Sequence, residues 1–330
     1  MELADLVHAV TAVARLGKWA LLVVVGLSAL GALAIAIFGD RDIPPEVLVR
    51  RYANPASRFL ELDSGTVAHL RDQGNPDGEV LVLVHGSNAS LHTWEPWVAI
   101  LGDEFRVISM DLPGHGLTGR TVEDDYSIAA MAAFVDEVTL ELGVQRFHLA
   151  GNSMGGRTAW IYALDHPRRL DRLILIDASG HPDEDGEEEG LGFRLARMPI
   201  VSRLMHFVTP WRVIEKTLRA AFADPALVTD AMVTRYHELL LREGSREASA
   251  ARFRLPVETE RVKELPRIAN PTLTLWGEED RLVPVADAHE FARAIPNSRV
   301  RIYADVGHIP MEEAPARSAA DVRAFVNGTL

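Results

Sequence analysis

Apolar residues are distributed along this chain in three ways, and each predicts a different kind of element. Residues 19–39 form an uncharged run that contains LLVVVGLSALGALAIAIF and is broken by the hydroxyl of Ser28. As a helix, these 21 residues would reach about 30 Å, the thickness of a bilayer's hydrocarbon core. Beyond residue 57 the pattern changes to short β-branched runs that alternate with helical spacing. Val80–Val84 reads VLVLV, the unbroken run of a strand covered on both faces. Residues 105–110, 146–150, 173–176, 272–276 and 300–303 read the same way, and 59–62 with 66–71 read as an opening hairpin around Asp63-Ser64-Gly65. Residues 127–142 carry helical spacing and stop at Gly143, and a further helix starts from Asn152. Strands alternating with helices predict an α/β fold, a mostly parallel sheet flanked by helices on both faces.

The third pattern interrupts this alternation. Residues 181–266 have helical spacing without strands, with candidate helices at 191–198, 212–222 and 225–241. This stretch reads as a helical insertion between two strands, and its acidic run DEDGEEE as a solvated loop. The organisation expected is an N-terminal membrane anchor over 1–40, a linker over 41–57 punctuated by Pro44, Pro45, Asn54 and Pro55, a core in two parts (58–180 and 267–330), and a helical cap over 181–266 between them. A cleaved signal peptide is the alternative for the N-terminal run, since Ala32-Leu33-Ala34 and Ala34-Ile35-Ala36 have the small-x-small form. Arg15 and Lys18 precede the run and Arg41, Arg50 and Arg51 follow it, so charge barely orients it. The expectation is a single-pass anchor with the catalytic part on the extracytoplasmic side.

Charge and composition narrow the chemistry. The 330 residues include 34 Lys and Arg against 47 Asp and Glu, a net charge of −13, with no clustered basic run, which argues against a nucleic-acid groove. There is no cysteine, so disulfides, thiol catalysis and thiolate metal sites are excluded. The histidines show no metal-ligand spacing, and neither a metal nor a cofactor is expected.

The strongest local signal is Gly151-Asn152-Ser153-Met154-Gly155, a G-x-S-x-G sequence between a predicted strand and a predicted helix. A sharp turn there would hold the Ser153 hydroxyl clear of the strand's C-terminal end, with helix N–H groups facing any anion beside it. A serine hydroxyl needs a base. His308, in Asp305-Val306-Gly307-His308-Ile309-Pro310, follows the last predicted strand and is the candidate; His85, His115 and His148 are weaker ones. The imidazole needs an acceptor, and Asp280 follows the strand LTLWG. Glu278, Glu279 and Asp177 are its rivals. Oxyanion donors are expected from the backbone N–H of Met154 and of Ser87, with Asn88 as alternative to Ser87 and His85 as a brace for that loop. Trp94, Trp97, Trp160 and Trp211 are candidates either for an acyl pocket or for core packing.

These blocks, in order His85-Gly86-Ser87-Asn88, Asp111-Leu112-Pro113-Gly114-His115-Gly116, Gly151-Asn152-Ser153-Met154-Gly155-Gly156, then Asp280 and Gly307-His308, resemble the α/β-hydrolase superfamily over residues 57–328. The resemblance implies a cap between the sixth and seventh strands that roofs the pocket, a structural role for the Asp111 block, and a Ser153–His308–Asp280 triad. It points to the serine esterase and lipase-like branch, acting on a small-molecule ester or lipid-like substrate. Ser153 argues against the dehalogenase and epoxide hydrolase branches, which carry Asp there. The alternative is a carbon–carbon bond hydrolase of meta-cleavage ring-fission products, which shares the Asn-Ser-Met-Gly-Gly elbow; a non-catalytic binding protein of this fold would usually lack a triad member.

Overall fold

The computed structural model describes residues 39–181, 209–256 and 260–330, with short helical stretches at 17–19, 21–22 and 25–26. Most of the 19–39 run and the candidate helix at 191–198 lie outside the described residues. Among the described residues no helix is long and apolar enough to cross a membrane.

Among the described residues eight strands form one sheet: β1 (Ser57–Glu61), β2 (Val67–Gly74), β3 (Val80–Val84), β4 (Arg106–Met110), β5 (Phe147–Asn152), β6 (Leu170–Ile176), β7 (Thr272–Gly277) and β8 (Ser298–Tyr303). Their spatial order is β1-β2-β4-β3-β5-β6-β7-β8. β2 is antiparallel to both β1 and β4, and every pair from β4 across to β8 is parallel. Side chains two apart on a strand share a face. In β3, Leu81 and Leu83 therefore enter one apolar layer and Val82 and Val84 the other. The same split places Leu173 and Leu175 of β6 opposite Ile174 and Ile176.

The helices, in chain order, are α1 (Pro45–Tyr52), α2 (Glu95–Leu101), α3 (Ile128–Glu141), α4 (Met154–Asp165), α5 (Trp211–Ala221), α6 (Asp230–Leu240), α7 (Ser245–Arg254), α8 (Ala286–Ala294), α9 (Pro310–Glu313) and α10 (Pro315–Val326). α3, α4 and α8 fill one face of the sheet, through Met131, Val135, Trp160 and Phe291 among others. α2 and α10 fill the other, through Trp97, Leu101, Val322 and Phe325. α3 starts where Ser127 caps it, the hydroxyl accepting from the Ala130 N–H at 3.1 Å. It ends before Gly143, which sits at φ 70°.

Two stretches differ from the sequence expectation. The region read as a linker contains α1, which starts with Pro45 in the first turn, where a missing N–H costs nothing. It is docked rather than extended: Ile43 forms a parallel bridge with Arg242, Leu48 packs against Leu117 and Leu239, and Arg51 pairs with Glu238. Pro44 and Pro45 set the start of a helix instead of breaking the chain. Residues 225–241 are not one helix but a short 3-10 turn, Pro225–Leu227, followed by α6, which Thr229 caps through its hydroxyl. Between β6 and β7 the described chain also forms α7, which its residues SREASAARFR hide because small and charged positions blur any apolar stripe.

Candidate active site

Parallel strands leave the sheet on one edge, and this topology assembles the site. The loops after β3, β5, β7 and β8 carry Ser87, Ser153, Asp280 and His308 respectively. β3 lies between β4 and β5, so successive connections diverge to opposite sides there and open a crevice at the strand ends.

Ser153 stands between β5 and α4 at φ 55°, ψ −118°. Such a backbone costs about 1–3 kcal/mol and persists only where neighbours over-determine it. Here the Ser153 N–H donates to the Ile176 carbonyl at 2.9 Å, and the Ser153 carbonyl accepts from the N–H groups of Arg157 at 3.0 Å and Ser179 at 3.1 Å. The flanking glycines are steric necessities. A Cβ on Gly151 would lie 2.1 Å from the Gly155 carbonyl oxygen, and one on Gly155 would lie 2.2 Å from that of Val84.

His308 is buried, and its Nδ1 is 2.7 Å from Asp280 Oδ2. Asp280 Oδ1 accepts from the N–H groups of Leu282 at 2.7 Å and Val283 at 3.1 Å, so the loop's own turn fixes the carboxylate. The rivals Glu278 and Glu279 are exposed. Asp177 is fully buried beside this pair; its Oδ1 accepts from the Gly277 N–H at 2.9 Å. Burial, then the negative charge of Asp280, pushes the Asp177 carboxyl well above the ordinary range. Asp177, Asp280 and His308 place ligand-type atoms within 4.8 Å of one another. A metal among them would have to displace the His308–Asp280 hydrogen bond. Asn152 joins the elbow to the histidine loop: its Nδ2 donates to the carbonyls of His308 at 3.0 Å and Ile176 at 3.2 Å. Asn152 belongs to the elbow motif, but nothing in its sequence spacing signals that bridge.

The loop after β3 is braced by His85. Its Nδ1 donates to the Gly86 carbonyl at 2.7 Å, and its Nε2 accepts from the Leu112 N–H at 3.0 Å. Burial lowers the pKa of His85, which keeps the ring neutral for this dual role. His115 is buried with its Nδ1 on the Pro113 carbonyl, and His148 sits within β5 near Glu79. Asp111, fully buried, holds the adjoining turn: Oδ2 meets His69 Nδ1 at 2.7 Å and the Leu117 N–H at 2.8 Å, and Oδ1 accepts from the Leu91 N–H at 2.8 Å. Burial alone would raise its pKa, but the hydrogen bond and charge of His69 outweigh it and hold the carboxyl well below the usual range.

A cavity of about 490 Å³ opens over these loops, with Ser153, His308, Ser87, Asn88 and Met154 on its wall. α5 contributes Ile214 and Leu218, α6 contributes Tyr236, and α7 contributes Arg252 and Phe253. Of the two roles open to the tryptophans, the structure shows core packing: among the described residues none of Trp94, Trp97, Trp160 or Trp211 lines the cavity. Trp94, Trp97 and Trp160 are fully buried in the layers against the sheet, and Trp211 packs at the edge of one of them. Trp97 and Trp160 spend their indole N–H on Ser318 Oγ and the Ser179 carbonyl. Their apolar bulk is needed where strands and helices meet, away from the strand ends.

A family model for the alpha/beta hydrolase fold matches residues 79–205 and 212–315. Lipase 3 of a Moraxella species is 27% identical over 282 residues, 82% of this chain and 84% of the lipase. The solved structure of a bacterial membrane phospholipase A, described as a virulence factor, is 26% identical, covers 94% of this chain and 99% of its own, and superposes with a TM-score of 0.69. That of a meta-cleavage product hydrolase from Pseudomonas fluorescens is 23% identical, covers 83% and 98%, and superposes with a TM-score of 0.72.

Proposed function

Because this chain belongs to the alpha/beta hydrolase fold family, we propose that it hydrolyses carboxylic esters through an acyl-enzyme on Ser153. The observation that carries this reading is the His308–Asp280 hydrogen bond of 2.7 Å in a cavity that also exposes Ser153 on a strained turn. His308 Nε2 takes the Ser153 proton as Oγ attacks the ester carbonyl, and Asp280 holds the ring and the charge it gains. The developing oxyanion accepts from the backbone N–H groups of Met154 and Ser87. His308 then protonates the departing alcohol, and a water that it deprotonates releases the acid and restores Ser153.

The substrates we assign are small-molecule or lipid-like esters. The lipase relative and the phospholipase structure support that class, as do the apolar side chains that α5 and α7 lend to the cavity. We also assign a single-pass N-terminal anchor over the uncharged run at 19–39, with the catalytic part on the extracytoplasmic side; the run's length supports it, as does the membrane phospholipase that aligns with 94% of the chain. Carbon–carbon bond hydrolysis is the second reading. The Asn152-to-Gly156 elbow favours it, while the likeness to the meta-cleavage enzyme speaks for the fold.

The test is turnover of p-nitrophenyl esters from acetate to palmitate by the full chain beside Ser153→Ala. Loss of at least about 10³-fold in kcat in the variant is expected. A folded protein that turns over none of these esters refutes the ester reading and brings the carbon–carbon reaction forward.

A further inference from the structure

The charge of the cavity runs against that of the protein. The chain carries −13, yet the described residues on the cavity wall include Arg157 and Arg252 and no aspartate or glutamate. Arg252 lies in the last turn of α7 and is partly buried, its guanidinium over the Phe253 ring at 4.4 Å from the centroid. Nη1 reaches Met154 Sδ at 3.6 Å and Nη2 donates to Asn88 Oδ1 at 3.2 Å. Both acceptors are neutral. Burial lowers the guanidinium pKa to about 10, with no carboxylate among the described residues opposing the shift, and the group stays charged at neutral pH. The two most buried arginines among the described residues each have a carboxylate, Arg71 with Glu95 at 2.7 Å and Arg246 with Asp42 at 2.6 Å; Arg242, partly buried like Arg252, has no ion pair there and meets the Glu243 carbonyl instead. A cation withdrawn from water without a counter-charge is costly unless a ligand supplies one. A guanidinium also presents forked N–H donors that match a carboxylate or phosphate. Asn88 and Met154 flank Ser153 on the cavity wall, so an anion held by Arg252 sits close to an ester carbonyl presented to that serine.

We propose that Arg252 is a specificity residue that binds an anionic group, a carboxylate or a phosphate, carried by the substrate beside its ester. The kinetic part of this proposal rests on the ester-hydrolase reading; the binding part does not. Two substrate pairs separate the sources of the anion. p-Nitrophenyl hemiglutarate against p-nitrophenyl valerate places a carboxylate on the acyl side, and 1-acylglycerol 3-phosphate against 1-acylglycerol places a phosphate on the alcohol side. In the full chain, Arg252→Gln should lower the ratio of kcat/KM for the anionic over the neutral member of one pair by about 10- to 100-fold, the loss of a charge-assisted hydrogen-bonded contact. Arg252→Lys should recover part of that ratio. An equal fall for anionic and neutral esters would instead make Arg252 a support for the Asn88–Met154 wall and overturn the proposal, as would unchanged ratios in both pairs. The second readout is calorimetric binding of glutarate and of 1-acylglycerol 3-phosphate to Ser153→Ala with and without Arg252→Gln. Binding that depends on Arg252 supports the anion site even where no ester is turned over. Ester turnover with no Arg252-dependent binding or preference removes the anion site and leaves the hydrolase reading intact.

Discussion

Replacing Asp177 by asparagine isolates one buried proton. The Asp177 side chain is fully buried, Oδ1 accepts from the Gly277 N–H, Oδ2 has no hydrogen-bond partner among the described residues, and the carboxyl lies within 4.8 Å of the Asp280 carboxylate. Two carboxyl groups in such contact cannot both ionise. Asp280 already accepts from His308, Leu282 and Val283, whereas Asp177 accepts from Gly277 alone among the described residues, so the proton stays on Asp177. The folded-state pKa of Asp177 is therefore raised, and the unfolded chain releases this proton from about pH 4 upward while the native protein retains it. Stability then falls as pH rises, at about 1.4 kcal/mol per pH unit, until native Asp177 itself ionises. Asp177→Asn keeps the contact with Gly277 through its carbonyl, presents an amide donor toward Asp280, and carries no proton to lose. As pH rises from 5 to 7 the variant should gain stability relative to the parent chain. Urea unfolding at the two pH values measures this difference directly, and ester turnover should stay within about tenfold because His308 loses no partner. Equal pH slopes in the two proteins would refute the neutral Asp177. A fall in kcat of about 10³-fold or more would show that Asp177, not Asp280, supports His308.

Three further outcomes follow from the same geometry. Gly155→Ala pushes a methyl within 2.2 Å of the Val84 carbonyl oxygen and 2.5 Å of that of His85; a loss of about 1–3 kcal/mol in thermal unfolding is expected, with a larger fall in turnover because the β3 loop carrying Ser87 must move. Asp111→Asn replaces a buried carboxylate that faces His69 and two N–H donors, so a loss of about 3–5 kcal/mol is expected in urea titration. The pKa of Asp111 is depressed in the native state, so its contribution is present above the unfolded carboxyl pKa and fades as pH falls below about 4; Asp111→Asn should remove that part of the acid transition. Trp97→Phe leaves the Ser318 hydroxyl without its indole donor and should cost about 1–2 kcal/mol, read as a lower unfolding temperature with turnover preserved.

Much of the site was legible because its physics is local. An unbroken run such as VLVLV predicts a strand buried on both faces, and glycines on both sides of Ser153 predict a turn too tight for any side chain. Strands joined through helices must run parallel, so residues following separate strands are expected on one edge before any coordinate is known. The paired expectations for His308 and Asp280 rested on that rule, and the two side chains are 2.7 Å apart.

What sequence could not decide depends on which surfaces face each other across long separations. Pro44 and Pro45 read equally well as breakers or as the start of α1, and only the pairing of Ile43 with Arg242 and the packing of Leu48 on Leu239 selects the helix. Tryptophan is apolar and large enough for either a pocket or a core, and the layers beside the sheet claimed Trp94, Trp97 and Trp160. Asp177 looked like a rival to Asp280 because both end strands; the register of β6 on β7 buries it and leaves it the proton. Arg252 carries no motif at all. The strand runs, the turn at Ser153 and the triad candidates are properties of short segments, which the sequence determines by itself. The charge on the described cavity wall is set where α4 brings Arg157 and α7 brings Arg252 to the sheet's edge, and burial at that meeting, a tertiary property, decides which ionisable groups keep their partners.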